Sequence, residues 1–309
     1  YALAVIRALA ELGIRARFSY GPWQGQPNDQ VMNLRDLEQL KASWSTHSNG
    51  GLISLGMAWR GQGGNNPATA IPENVWKAEL EAGRALGLPI SVHASGSRAV
   101  AGQIDAIDRA GLLGKDIQLI HAAFASDNAI KAVARTGATV SLSPYSEMRI
   151  GFGLPKVTEF LAAGVPLGLS VDTVELTGNA DMFGIMKLLQ NVENGKSESE
   201  FKLSARRVLE LATIEGARSM GLGDTIGSLV PGKRADIIMV STHDVNLGVF
   251  GDPAHMLVTA AQPSNVDTVM VDGRILKRGG KLTVVDGRKV AEEAGAASAA
   301  LRRRANWPI

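Results

Sequence analysis

Short apolar strands alternate with amphipathic helices from Ile14 to Met220, and this alternation constrains the fold more than any other feature of the sequence. Strands that are separated by helices run parallel, because each helix carries the chain back to the edge of the sheet where the previous strand began. The six strand–helix units fit either an open doubly wound sheet or most of an eight-stranded (β/α)8 barrel. Strands are predicted over residues 14–21, 52–59, 89–93, 117–121, 138–142 and 166–171, and helices over 33–43, 73–86, 100–110, 126–135, 156–163 and 182–191.

The pattern changes after Leu222, where short strands are separated by the turn pairs Asp272-Gly273 and Gly279-Gly280. A last helix over 289–304 is rich in alanine and basic at its end, which suits the helix dipole. We therefore predict a barrel domain over 1–222, a small β-sandwich portion over 223–288, and a C-terminal helix and tail over 289–309. Because the first predicted helix is already under way at Tyr1 and no initiator Met precedes it, we expect sequence upstream of this residue.

Composition excludes several classes of protein. The 309 residues are 45% hydrophobic, enough for one large core with a small second unit. The formal net charge of +2 points to neither nucleic acid nor a membrane surface, and no apolar run reaches the length of a membrane span. The chain has no cysteine, so disulfides, thiolate metal sites and cysteine nucleophiles are excluded. We expect a cytoplasmic protein.

Three of the predicted strands end in a side chain that can bind a metal: His93, His121 and Asp172. Functional sites of parallel α/β folds lie at the carboxyl ends of the strands, where the loops converge. Imidazole nitrogen and carboxylate oxygen suit a borderline divalent ion such as zinc. A single histidine at a strand end is more often a core or loop residue, but three such positions in register favour a metal site.

Several segments, taken in their order and spacing, resemble the amidohydrolase superfamily of metal-dependent hydrolases, in its cytosine deaminase-like and chlorohydrolase-like branch. The resemblance implies a TIM-type (β/α)8 barrel with a β-sandwich built from both chain ends, so the first strands of the barrel would be missing here. It also implies a metal held by a His-x-His pair on the first strand, a fifth-strand His and an eighth-strand Asp. The segments that carry the resemblance are the strands ending at His93 and His121, and residues 143–148, 164–172, 181–183, 212–218 and 227–236.

The resemblance also implies roles for the strand-end residues. His93 matches the fifth-strand ligand, and Asp172 matches the eighth-strand ligand, which in the family also takes a proton from the attacking water. His121 matches the sixth-strand His, which lies near the water or substrate in mononuclear members and binds a second metal in binuclear ones. No strand ends in a lysine that carbamylation would turn into a metal bridge, so we expect one zinc, with iron or manganese as alternatives.

The sequence departs from the family pattern in two places. It has no His-x-His pair, and His47, His243 and His255 are isolated, so each is interpreted as a surface or structural residue. Either the pair lies upstream or the protein does not hold the metal in the usual way, and we favour the upstream segment. Family deaminases also carry Glu three residues after the fifth-strand His, where this chain has Gly96. Ordinary purine or pyrimidine deamination is therefore not expected.

Glu147 follows the strand over 138–142, where relatives often place Asn for substrate binding. A carboxylate there can replace the missing Glu as a proton shuttle or bind a cationic substrate; the alternative is a solvated loop residue paired with Arg149. Position at the strand ends alone suggests further pocket residues, although Trp59 also suits a packing role. The predicted substrate-binding set is Trp59, Arg60, Ser95, Glu147 and Thr173, with Trp23, Gln24, Arg98, Glu175 and Asn179 as further candidates.

These observations predict a homo-oligomeric hydrolase in which metal-activated water attacks a non-peptide C–N bond (amidine, amide or heterocycle amino) or a C–Cl bond of a small molecule. Asp172, His121 and Glu147 are its predicted catalytic residues. The alternative is a metal-free barrel that acts as a scaffold or binding protein. A serine hydrolase is a poor third interpretation, because the sequence has no Gly-x-Ser-x-Gly elbow.

Overall fold

The computed structural model describes residues 2–64, 68–248 and 251–307. Tyr1 of the predicted first helix, three residues of the loop over 61–72 and the last two residues of the predicted tail lie outside this part of the chain. Within it, no helix is both long enough and apolar enough to cross a membrane.

Six parallel strands form the main sheet, and their order in space is their order in the sequence. A doubly wound sheet reverses its strand order at a switch point, whereas a barrel adds each strand to the same edge. The sequential order therefore identifies a curled, barrel-type sheet and settles the choice that the sequence left open. The strands are β1 Ala16–Tyr20, β2 Ile53–Trp59, β3 Ile90–Ala94, β4 Ile117–His121, β5 Thr139–Leu142 and β6 Leu167–Leu169.

Helices cover the outer face of this sheet. Local signals explain several of their boundaries, as at α5, where the Ser126 side chain caps the helix by accepting the N–H of Ala129. The predicted helices are confirmed, but α6, α8, α10, α11 and α12 were not predicted. The helices are α1 Ala2–Leu12, α2 Leu34–Ala42, α3 Glu73–Ala85, α4 Gln103–Arg109, α5 Asp127–Thr136, α6 Pro144–Arg149, α7 Val157–Ala162, α8 Val174–Thr177, α9 Met182–Lys196, α10 Ala205–Leu211, α11 Ile214–Ser219, α12 Pro253–Thr259 and α13 Gly287–Arg304.

The main core lies between the sheet and its helices. Strand β2 shows the pattern, because alternate residues Ile53, Leu55, Met57 and Trp59 are all buried. This core holds the strand ends in fixed register, which positions the site described below.

A second sheet follows, antiparallel and of four strands in the order β10-β9-β8-β7. The pairs Asp272-Gly273 and Gly279-Gly280 both have positive φ, as the tight hairpin turns predicted from the sequence require. Helix α12, inserted between β7 and β8, packs against α9 and α10 of the barrel. Strands β7 Ile237–Val240, β8 Val266–Val271, β9 Arg274–Arg278 and β10 Lys281–Leu282 make up this sheet.

An ion-pair cluster joins the two sheets. The Arg15 guanidinium, just before β1, donates two hydrogen bonds to Asp236, at 2.6 and 2.9 Å, and one to Asp272, at 3.1 Å. Burial works to raise the pKa of the Asp236 carboxyl, but hydrogen bonds from Arg15 and from the Asp272 N–H outweigh it and lower that pKa. The charged form of Asp236 therefore stabilises the contact between the sheets.

Candidate active site

The ends of β3 and β4 bring two histidines together. The ring centroids of His93 and His121 lie 5.3 Å apart, with the ring planes tilted by 34°. The His93 side chain is exposed to solvent, whereas His121 is buried. Burial and the neighbouring His121 lower the pKa of His93, and the charge of Asp172 opposes them. The neutral imidazole of His93, the form that binds metals, is therefore favoured.

Asp172 completes the group of strand-end residues. It lies three residues beyond β6, is half-buried, and its backbone N–H donates to the Ser170 hydroxyl at 3.0 Å. Thr173 follows as the exposed residue that precedes α8. The structure thus places His93, His121, Asp172 and Thr173 at the same end of the sheet.

The backbone at these strand ends is strained. Four residues other than glycine adopt positive φ there: Ser95 (50°), His121 (73°), Ala122 (54°) and Asp172 (62°). Such left-handed conformations cost free energy and cluster at functional sites, where the surrounding structure holds them in place. The strain therefore supports a functional role for the three strand ends, and it was not predicted from the sequence.

Glu147, on α6, is fully buried and contacts His121. Its Oε1 accepts the backbone N–H of Ser143 at 2.7 Å and lies 3.2 Å from His121 Nδ1. Its Oε2 is buried and has no hydrogen-bond partner in the described part of the chain. Arg149 instead donates to the carbonyls of Glu175 and Leu176. The alternative that made Glu147 a solvated loop residue paired with Arg149 is therefore wrong.

Phe152 packs edge-on against the His121 ring, with centroids 5.4 Å apart and an interplanar angle of 83°. The Phe152 N–H donates to the Glu147 carbonyl at 2.7 Å. A Cβ on Gly96 would lie 3.3 Å from the Phe152 ring and 3.4 Å from His121 Cβ, so glycine leaves room for this packing. Phe152 was not predicted as a site residue. Its position between two glycines in the loop after a strand could have indicated it.

The structure does not bring three of the predicted substrate-binding residues to the site. Trp59 lies in the core between β2 and α3, where its indole N–H donates to the Trp76 carbonyl at 3.1 Å. Arg60 forms an ion pair with buried Glu79. Ser95 is buried, and its hydroxyl accepts the Ile104 N–H at 3.2 Å. Their partners give these side chains packing and anchoring roles, so we leave them out of the proposed substrate contacts.

The donor set fits a borderline divalent ion in chemistry, since it offers two imidazoles and a carboxylate. The geometry is incomplete, because no three His, Cys, Asp or Glu side chains in residues 2–64, 68–248 and 251–307 are grouped closely enough to hold one ion. The described residues thus supply part of a coordination sphere.

Comparisons with known proteins give a consistent result. The family model described as "Amidohydrolase family" matches residues 1–276. The chain is 34% identical over 198 residues to a 5'-deoxyadenosine deaminase of Methanothermobacter thermautotrophicus, covering 64% of this chain and 46% of that protein. It is 31% identical over 306 residues to a 5-methylthioadenosine/S-adenosylhomocysteine deaminase of Desulforudis audaxviator, covering 94% and 68%. The chain thus spans less than half of the first relative and about two thirds of the second.

Two solved structures share the fold. One is an adenosine deaminase from Xanthomonas campestris with bound zinc, with a TM-score of 0.86 and 21% identity over 98% of this chain and 70% of that one. The other is an atrazine chlorohydrolase from Arthrobacter aurescens complexed with zinc, with a TM-score of 0.82 and 20% identity over 95% and 68%. These similarities confirm the barrel architecture.

Proposed function

The chain belongs to the amidohydrolase family, and on this basis we propose that it catalyses metal-dependent hydrolysis of a C–N or C–Cl bond in a small molecule. The observation that carries the proposal is the meeting of His93, His121, Asp172 and Glu147 at the carboxyl end of a barrel-type parallel sheet. The relatives are named deaminases, and one structural neighbour is named a chlorohydrolase. None of these relatives supports the alternative of a metal-free scaffold.

We place His93, His121 and Asp172 in the candidate ligand set, with zinc as the preferred ion and iron or manganese as alternatives. A bound divalent ion would supply Lewis acidity and lower the pKa of water toward neutrality. Because a catalytic zinc needs three protein ligands and the described residues do not gather three, we expect further ligands elsewhere. A His-x-His pair in the upstream gene sequence would support this expectation, and its absence would count against it.

The other side chains of this site have separate proposed roles in proton transfer and substrate binding. In the proposed reaction the Asp172 carboxylate, which is half-buried and acts electrostatically on His93, takes a proton from the attacking water and returns it to the leaving group. The Nδ1 of His121 is engaged by Glu147, which leaves Nε2 to face water, substrate or the ion. Thr173, exposed next to Asp172, is the proposed substrate contact.

The aromatic wall indicates the kind of substrate. The Phe152 ring, which packs edge-on against His121, offers an aromatic surface that would suit a planar heterocycle. Gly96 offers no carboxylate to a ring nitrogen, so we propose an amino- or chloro-substituted heterocycle whose leaving group departs without help from that position.

The experiment is a hydrolysis screen with the full-length, metal-loaded protein. The panel holds 5'-deoxyadenosine, 5-methylthioadenosine, an amino-s-triazine and a chloro-s-triazine, and release of ammonia or chloride is measured. We expect turnover of at least one compound that a chelator and the Asp172→Asn substitution both abolish. Activity that survives the chelator would contradict the proposal, and no turnover of any compound would favour the scaffold alternative.

The wider organisation remains a proposal as well. We propose a homo-oligomeric cytoplasmic enzyme, with the barrel over 1–222, the β-sandwich portion over 223–288 and the C-terminal helix and tail over 289–309. The separate antiparallel sheet and the lack of any buried residue in α13 support these divisions. Analytical ultracentrifugation and cell fractionation test the oligomeric state and the compartment.

A further inference from the structure

The contacts of His121 with its neighbours leave its ring little freedom. His93 and Phe152 pack against the ring, and a Cβ on Gly96 would lie 3.4 Å from His121 Cβ. The Glu147 carboxylate engages Nδ1. The backbone of Glu147 takes part too, because its carbonyl accepts the N–H of Phe152. Glu147 thus contacts the His121 ring through its side chain and binds the backbone of Phe152 through its carbonyl.

The direction of the hydrogen bond between Glu147 and His121 follows from the second contact of the same oxygen. The Ser143 N–H donates to Glu147 Oε1, so this oxygen acts as an acceptor whatever the protonation of Oε2. The accepting role of Oε1 therefore favours a proton on Nδ1 of the imidazole in the contact with His121. In a neutral ring, Nε2 then carries the free lone pair.

The burial of the Glu147 carboxylate indicates that it has a function beyond stability. Glu147 is fully buried, and its Oε2 has no hydrogen-bond partner among the described residues. Leaving a buried polar atom unsatisfied costs stability, and an apolar side chain of similar size would avoid that cost. A helix-capping role alone needs only the contact with the Ser143 N–H, and it explains neither the burial against His121 nor the unsatisfied oxygen.

We propose that Glu147 is a positioning residue for His121: it fixes the Nδ1–H tautomer and the ring orientation, so that Nε2 is presented to the cavity as a lone-pair donor. This inference rests on the proposed function for its catalytic consequence, but the tautomer itself does not depend on any bound metal or on activity. Carboxylates that hold a functional histidine by its second nitrogen typically contribute about 10- to 100-fold to metal affinity or activity.

The first test reads the tautomer directly, by long-range ¹H–¹⁵N correlation spectra of ¹⁵N-histidine-labelled, metal-free, full-length protein. The five histidines of the chain give few signals, and the His121 signals are assigned from a His121→Asn variant or by elimination with the other four. At about pH 8.5, two units above the ordinary imidazole pKa, a neutral ring reports its tautomer. We expect Nδ1–H in the unmutated protein. An Nε2–H tautomer there would overturn the proposal.

Two substitutions separate positioning from folding. Glu147→Gln keeps an oxygen that accepts both N–H groups, so the Nδ1–H tautomer should persist. Glu147→Ala removes the acceptor, and the ring should shift toward the Nε2–H tautomer that dominates in free imidazole side chains. An alanine variant that stays folded by thermal melt and keeps the pure Nδ1–H tautomer would refute the positioning role. If that variant does not fold, the unmutated spectrum still decides the proposal.

The second test measures turnover once a substrate is known. We expect Glu147→Ala to lower kcat by about 10- to 100-fold with a much smaller change in KM, and Glu147→Gln to stay within about threefold. Glu193→Gln is the matched control, because Glu193 is a buried carboxylate on α9 that pairs with Lys196, outside the site. Equal losses in the alanine and glutamine variants would contradict a role that depends on the accepted hydrogen bond. Absence of activity in the unmutated protein would contradict the proposed function and leave the tautomer result standing.

Discussion

Replacing Glu79 by alanine should destabilise the protein strongly, and the result decides what Arg60 does. Glu79 is fully buried on α3, where it accepts hydrogen bonds from the Arg60 guanidinium and, at 3.0 Å, from the Met32 N–H. Removing one partner of a buried ion pair costs about 3–5 kcal/mol, because the other charge is left without its counterion. Arg60 keeps the carbonyls of Pro27 and Gln30 as acceptors, which places the loss near the lower end of that range. The unsatisfied Met32 N–H adds about 1–3 kcal/mol, so we expect a total loss of roughly 4–6 kcal/mol.

Equilibrium urea unfolding of the full-length protein measures this loss. The matched control is Asp116→Ala, which breaks the pair with Arg84, whose side chains are 36% and 33% exposed. That pair should contribute about 0–1 kcal/mol. A Glu79→Ala variant no less stable than the control would refute the assignment of Arg60 to an anchoring role. An Arg60→Ala variant with unchanged stability and a raised KM would refute it as well. That result would instead support the substrate contact that was predicted from the position of Arg60 at a strand end.

Three further predictions follow from the same contacts. Gly96→Ala should lower turnover, because its Cβ would lie only 3.3–3.4 Å from Phe152 and His121. The control is Gly195→Ala on α9, where a Cβ meets nothing within 4 Å. This variant should raise the melting temperature and leave turnover unchanged. The lowered pKa of Asp236 adds stability that is fully present above its unfolded pKa of about 3.9 and is lost as pH falls through the folded pKa. Stability measured against pH should therefore fall less steeply below about pH 5 in Asp236→Asn, and an unchanged slope would contradict the cluster with Arg15. Asp172→Asn should abolish turnover while changing the free energy of unfolding by no more than about 1 kcal/mol, since Asp172 lies between β6 and α8, outside both elements. Retained turnover would remove it from the catalytic set.

The elements of the fold followed from local patterns, whereas their arrangement did not. Period-two burial placed the strands that end at His93 and His121, and the Asp272-Gly273 pair marked a hairpin that the structure confirms. The choice between a doubly wound sheet and a barrel needed the order of the strands in space, which depends on pairings between distant residues. The short helix α6 was missed because its six residues carry little periodicity.

The candidate site was also predictable only in part, because local patterns reveal strand ends but not contacts between distant residues. The end of a strand is a local property, so His93, His121 and Asp172 were found from the sequence. The contact between His121 and Glu147 joins residues 26 positions apart, and Arg60 and Glu79 are 19 apart, so neither pair leaves a local signal. Trp59 is different, because it shares the alternation of Ile53, Leu55 and Met57, and that pattern already indicated the buried face of β2.

The most direct test of the central claim is the metal content of the full-length protein, measured by elemental analysis together with its His93→Asn and Asp172→Asn variants. We expect about one zinc, iron or manganese ion per chain in the unmutated protein, and clear loss of that ion in both variants. His243→Asn is the control, since His243 is exposed in the segment after β7 and should leave the metal content unchanged. Less than a trace of metal in the unmutated protein, or full retention in both variants, would contradict a metal site at these strand ends.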